Sequence, residues 1–191
     1  MRIGIVIGSV REGRFGEDIG AWVKERADAL VDELGADAAG GQELEFEVLD
    51  VLAFDLPIMR VENWAERPDA PTEVVRWRDA VAACDGFVFI TPEYNRTIPG
   101  AFKNAYDLLS TEWRHKPFAL VSYGGAGGLR AQETWRVVAA AYEMVDVGAS
   151  VALIRRLDFP EGHFERTDHH NRTLGKVLTR LVELTRALGA A

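Results

Sequence analysis

The chain has little that could staple, anchor or export it. Its 191 residues include one cysteine, Cys84, so no internal disulfide can form and packing alone must hold the core. Cys84 stands at the expected end of a helix and reads as a small buried hydrophobe, with a reactive thiol as the alternative. No apolar run approaches the ~20 residues that span a bilayer. The opening MRIGIVIG enters an apolar strand at once, without the charged region, long apolar stretch and cleavage site of a secretory leader. The expectation is a cytoplasmic protein with no membrane role.

Positive charge is also scarce. Thirty acidic residues against 22 basic ones give a formal net charge of -8, a field that repels polyanions, so no nucleic-acid partner is expected. Hydrolytic chemistry lacks a candidate nucleophile, because there is no G-x-S-x-G elbow and no Cys–His pairing at recognisable spacing. His169 and His170 lie in a TDHHN cluster without further ligands at metal spacing; they read as capping or surface groups, and no metal is expected. His115 and His163 are isolated, and there is no internal repeat or low-complexity segment.

What is present reads as one globular domain over residues 1–191. Hydrophobic residues make up 48% and charged residues 27%, and at this length roughly 70% of the unfolded surface can be buried. Strand and helix signals alternate. Arg2 to Gly8 reads as a first strand and Gly16 to Leu34 as an amphipathic helix, followed by a flexible loop from Gly35 to Gln42. Glu45 to Leu49 is a second strand. Asp50 to Pro71, with Pro57, Pro68 and Pro71, is a long excursion. Thr72 to Ala83 is a helix with Thr72 as N-cap, Gly86 to Thr91 the central strand, and Pro99 to Ser110 a helix with proline in its first turn. Phe118 to Ser122 and Ser150 to Ile154 are strands either side of a helix from Leu129 to Val145, and a last helix runs from about Thr167 to Leu188. The alternation implies a parallel sheet with helices on both faces.

Three strand-to-helix turns stand out. In GSVREGRFG, Gly8 lets backbone approach closely, Ser9 offers a hydroxyl, and Arg11 and Arg14 supply forked donors ahead of a helix N-terminus, a combination that favours a phosphate. The Gly8 to Gly13 spacing imitates a P-loop, but Arg14 and Phe15 stand where Lys and Ser/Thr would be needed, which disfavours an ATPase. A solvated surface role is the alternative for either arginine. In FVFITPEYNRTIPGAFKN an apolar strand, Phe87 to Ile90, meets a turn bracketed by Pro92 and Pro99, whose stiff backbone and Tyr94 suit a flat ring. Tyr94 also reads as an ordinary capping aromatic, Glu93 as a solvent-facing carboxylate, and Lys103 and Asn104 as helix-surface and capping groups. In VSYGGAGGLR, small residues would let a ring lie close to backbone; the glycines match a dinucleotide fingerprint only loosely.

The first two turns, Ile7 to Gly16 and Thr91 to Asn104, resemble the NADPH-dependent FMN reductase family, flavodoxin-like quinone, chromate and azo-dye reductases, and the resemblance extends from Arg2 to about Ile154. It implies a flavodoxin-like α/β fold, a five-stranded parallel sheet of order 2-1-3-4-5 whose ligand crevice lies beside the first and third strands. It implies FMN, its phosphate held by Ser9, Arg11 and the Arg14 to Gly16 backbone, including Phe15. Pro92, Glu93, Tyr94 and Asn95 would meet the isoalloxazine mostly through backbone N–H groups and the Asn95 amide, with Ser122, Gly124 and Gly125 beside the flavin. Many members of that family carry Ser-x-Asn after the arginine turn where this chain has Arg14-Phe15-Gly16. The implied activity is ping-pong transfer from NADPH or NADH to a quinone, flavin or similar small acceptor, with the cofactor supplying the redox chemistry and no catalytic side chain needed. A homodimer or homotetramer is implied, paired around the helix after TPEYN with Trp113 and Phe102 as apolar surface. The alternatives are a flavodoxin-like electron carrier without nicotinamide turnover of its own and a nucleotide-binding regulatory module without flavin.

Overall fold

In the computed structural model, which describes residues 1–35 and 43–189, the most apolar segments become the strands with both faces covered. These are β1 (Arg2–Ile7), β3 (Gly86–Pro92) and β4 (Pro117–Gly124), flanked by β2 (Glu45–Asp50) and β5 (Val145–Ile154). The order is β2-β1-β3-β4-β5 and every pairing is parallel. Helices α1 (Gly16–Leu34) and α7 (Asp168–Gly189) cover one face; α3 (Thr72–Ala82), α4 (Gly100–Asp107) and α5 (Leu129–Ala139) cover the other. This is the expected flavodoxin-like architecture. The expected loop over 36–42 lies outside the described residues.

Alternate residues of one strand supply different cores, as the pleat requires. Val88 and Ile90 join an aliphatic cluster with Ile19, Val23, Leu178 and Leu181, whereas Phe87 and Phe89 join an aromatic one with Trp77, Phe102, Trp113 and Trp135. The aromatic cluster contradicts the expectation that Phe102 and Trp113 form an exposed pairing surface, since both are 0% exposed. Burial of Trp113 is completed by its indole N–H donating to the Tyr106 carbonyl at 3.0 Å. Phe102 also explains Gly8: a Cβ there would overlap the Phe102 ring, so β1 can end against α4 only without a side chain.

Other boundaries shift for local reasons. Pro71 holds the N-cap position of α3 and Thr72 is its first helical residue, with no side-chain cap. Pro99 likewise is the N-cap of α4. Helix α5 stops at Ala139, not Val145, because Glu143 turns left-handed (φ 55°) after a 3-10 turn and the Met144 N–H closes onto the Ala139 carbonyl; Val145 then opens β5. The excursion after β2 contains α2 (Val51–Phe54) and a 3-10 turn at Trp64–Glu66. Asn104 of α4 holds it, donating to the Pro57 carbonyl at 3.0 Å and accepting the Met59 N–H at 2.8 Å. The chain after β5 forms the four-residue α6 (Arg155–Asp158) before α7 begins. Cys84 is buried, and burial pushes its thiol up to about 12, an inert group at neutral pH. Thr167 and His170 form a reciprocal cap at the start of α7, through Thr167 N–H to His170 Nδ1 and His170 N–H to Thr167 Oγ1. Among the described residues no cluster could hold a metal ion, and no helix is long and apolar enough to cross a membrane.

Candidate functional site

The carboxyl ends of β1 and β3 lie side by side, where the strand order reverses, and the three turns gather there. The first is tied to the second from its start: Gly8 N–H donates to the Ile90 carbonyl at 3.0 Å, and the Ser9 and Tyr94 hydroxyls are 2.8 Å apart. Ser9 itself is buried. Phe15 precedes α1 as its N-cap, and its ring centre lies 4.6 Å from that of Phe159 with the planes tilted by 38°. Gly16 lies against Ile7 and the Tyr123 hydroxyl; a Cβ there would come within 2.9 Å of Ile7 and 3.3 Å of that oxygen.

The two arginines of this turn part company. Arg14 folds inward, its side chain 4% exposed, with both terminal nitrogens on the Asp50 carboxylate at 2.7 and 2.5 Å and one also on the Ser9 carbonyl. The Asp50 hydrogen bond, opposed by burial, holds the guanidinium above its ordinary range. Its side chain therefore braces the turn, and the expected phosphate role narrows to the backbone. Arg11 points the other way. It is exposed, its guanidinium carbon lies 5.6 Å from the centre of the Tyr94 ring, and it has no carboxylate partner among the described residues.

The second turn is a two-residue reversal. Asn95 and Arg96 both take left-handed conformations (φ 49° and 69°), and Tyr94 and Thr97 exchange backbone hydrogen bonds of 3.0 Å, the pattern of a type I′ turn. The expectation that backbone N–H groups here face a ring is overturned for two residues: the Glu93 N–H donates to the Tyr123 carbonyl and the Tyr94 N–H to Thr97. Glu93 does not face solvent. Its side chain is 11% exposed and accepts the Arg130 N–H and the Arg130 guanidinium, each at 3.0 Å, so it caps α5 and straps the second turn to the third.

In the third turn Gly127 and Gly128 are left-handed (φ 73° and 72°), and Gly124 and Gly125 face the cleft. Ser122 faces the interior, contrary to its expected place beside a ligand. It is 0% exposed, donates to the Gly127 carbonyl at 2.5 Å and accepts from Gln132 at 2.7 Å. The next residue is one that sequence reasoning missed, as it missed Arg155. Tyr123 is 6% exposed, its hydroxyl has no well-formed hydrogen bond among the described residues, and burial, opposed by the neighbouring Ser9 hydroxyl, pushes the phenol well above its ordinary range. Strand alternation carried the signal, because Ser122 and Tyr123 must face opposite sides of the sheet.

Arg11, Phe15, Tyr94, Tyr123, Gly124 and Arg155 surround a cleft of about 130 Å³. A larger hollow of about 420 Å³ between residues 59–66 of the excursion and the C-terminal end of α4 contains none of the turn residues, so volume does not select the site. Convergent donors do. The cleft pairs an aromatic wall with a free guanidinium, a buried orphan hydroxyl and the first turn of α1, a donor set that fits a planar ring carrying an anionic tail. FMN has that shape and charge.

The family model described as NADPH-dependent FMN reductase matches residues 1–156. An NAD(P)H-dependent FMN reductase of Saccharomyces cerevisiae is 32% identical over 200 aligned residues, covering 97% of this chain and 99% of the yeast protein. A quinone reductase of Pseudomonas putida is 30% identical over 70% of this chain and 67% of its own length. Among solved structures, an oxidoreductase of Corynebacterium diphtheriae superposes with a TM-score of 0.72 at 20% identity, over 96% of this chain and 95% of the other, a likeness of fold.

Proposed function

We infer, because this chain belongs to the NADPH-dependent FMN reductase family, that it is an FMN-dependent oxidoreductase drawing electrons from NAD(P)H and passing them to a small acceptor such as a quinone. The observation that carries the reading onto this structure is the orphan Tyr123 hydroxyl, set beside Ser9 and Gly16 at the one place where all three turns converge.

Ser9, Arg11 and the backbone from Arg14 through Phe15 to Gly16 would hold the phosphate, with Tyr123 donating into the same hollow. Pro92, Tyr94, Asn95, Gly124 and Gly125 would bound the ring. Arg14, Glu93 and Ser122 act through the turns they brace. Bound FMN supplies the hydride and electron chemistry, which is why the site needs no acid–base pair. Co-substrate and acceptor would enter the same cleft in turn, a ping-pong order. Helix α7, beyond the matched residues, packs on β5, β4 and α1, which supports reading 1–191 as one domain. A cytoplasmic home fits the single, inert thiol. Association into a homodimer or homotetramer remains part of the reading, with exposed Leu52, Ile58 and Met59 in place of the buried Phe102 and Trp113; a monomer by light scattering would remove it.

The test is steady-state oxidation of NADPH and NADH by the FMN-loaded protein with a soluble quinone. Turnover well above free FMN, with parallel double-reciprocal lines, is expected. Saturable FMN binding without such turnover would make the protein an electron carrier.

A further inference from the structure

The cleft does not close at Arg155. Past Phe15, Gly125 and Arg155, which line both spaces, it opens into a second hollow of about 420 Å³ bounded by Arg156, Phe159 and Gly162. Its floor is aromatic, with Phe159 buried against Phe15. Its rim is cationic. Arg155 and Arg156 are consecutive, exposed residues of α6, and the Arg155 guanidinium carbon lies 6.0 Å from the centre of the Phe15 ring, on the cleft side.

Neither arginine has a carboxylate partner among the described residues, although Asp158 stands on the same short helix. That carboxylate is engaged elsewhere: it accepts the Ile154 N–H at 2.6 Å and lies 3.4 Å from His170 Nε2. On a chain with 30 acidic and 22 basic residues, two adjacent unpaired guanidinium groups concentrate positive charge at one rim. Forked guanidinium donors match a phosphate monoester. The rim itself offers two forked side chains, the glycine turn that reaches the hollow at Gly125 already borders the flavin cleft, and the flavin phosphate is provided for at the first turn.

We propose that Arg155 and Arg156 form a second anion subsite, continuous with the flavin cleft, that receives the ribose 2′-phosphate of NADPH and so makes NADPH the preferred reductant over NADH. The proposal rests on the FMN-dependent reading of the first cleft. Affinity for the phosphate is shared between the two side chains, and the rest of the nucleotide is handled alike in both reductants.

The experiment compares FMN-loaded wild type, Arg156→Ala and the double variant Arg155→Ala/Arg156→Ala for kcat/KM with NADPH and with NADH, using one quinone. The NADPH-to-NADH ratio is expected to fall roughly 10-fold in the single variant and further in the double, chiefly through KM for NADPH. Arg156→Lys, which keeps the charge and loses the fork, is expected to recover part of it. Adenosine 2′,5′-bisphosphate should compete with NADPH in the wild type, with a Ki that rises in step with the lost ratio, while adenosine 5′-monophosphate shows no such rise. An unchanged ratio, or equal losses with both nucleotides, would overturn the subsite. So would weakened FMN binding at an unchanged ratio, which would give the two arginines to the flavin phosphate. A wild type that binds no FMN would instead bring down the functional reading beneath it, and FMN titration separates the two failures.

Discussion

The floor and the mouth of the cleft are built from the same kinds of side chain and treat them in opposite ways. On the floor, polar groups find partners inside the protein: Arg14 with Asp50, Ser122 with Gln132 and Gly127, Glu93 with Arg130. At the mouth, Arg11 and Arg155 have only aromatic faces for company among the described residues, and the Tyr123 hydroxyl has no well-formed hydrogen bond there. A satisfied buried group stabilises the fold, and an unsatisfied one is a standing cost that a ligand can remove. Two arginines three positions apart thus do different work, one holding the turn and one left for what the turn receives.

Substitution can break that division. The largest effect is expected for Arg14→Ala, which leaves the Asp50 carboxylate partly buried without its cation: unfolding of the FMN-free protein in denaturant should lose about 3–5 kcal/mol. Unchanged stability with weakened FMN binding would move Arg14 from floor to mouth. Arg11→Ala should do the reverse, raising the FMN dissociation constant by roughly 10-fold or more, a loss of about 1.5–3 kcal/mol, while leaving the denaturant midpoint of the FMN-free protein in place. Gln132→Ala should cost the FMN-free protein about 1–2 kcal/mol, by stranding the Val151 carbonyl and the Ser150 hydroxyl that Gln132 now pairs. The smallest and most telling is Tyr123→Phe. FMN binding should weaken by about 1 kcal/mol, whereas the FMN-free protein should be as stable as before or slightly more so, since an orphan hydroxyl has gone. Destabilisation of the FMN-free protein would show that Tyr123 belongs to the floor.

Much of this was legible in the chain. The runs in β1, β3 and β4 are apolar without alternation, which only strands covered on both faces allow, and that fixes where the turns converge. Composition marked the turns but not the direction of their side chains. Arg14 could have been read from register, since Ile7 pairs with Asp50 and sets an acid beside the arginine turn, yet nothing local to GSVREGR says so. Phe102 and Trp113 were misplaced because apolar residues on a short helix and the 3-10 turn after it look alike whether they meet a partner chain or their own sheet. The end of α5 was misjudged because Val137 to Val145 keeps a helical apolar spacing, and a left-handed Glu143 leaves no mark in sequence. Glu93 looked solvent-facing because its partner, Arg130, lies 37 positions away.

The glycine that ends β1 occupies ground already taken by an aromatic ring from α4. Positions 8 and 102 are therefore one unit in heredity: enlarging the first requires shrinking the second, and any lineage that keeps the phenylalanine is denied every side chain at the glycine. A strand terminus and a helix far along the chain would have to mutate together, and a Gly8→Ala protein should regain a cofactor-ready turn only when Phe102 is cut back to a smaller residue.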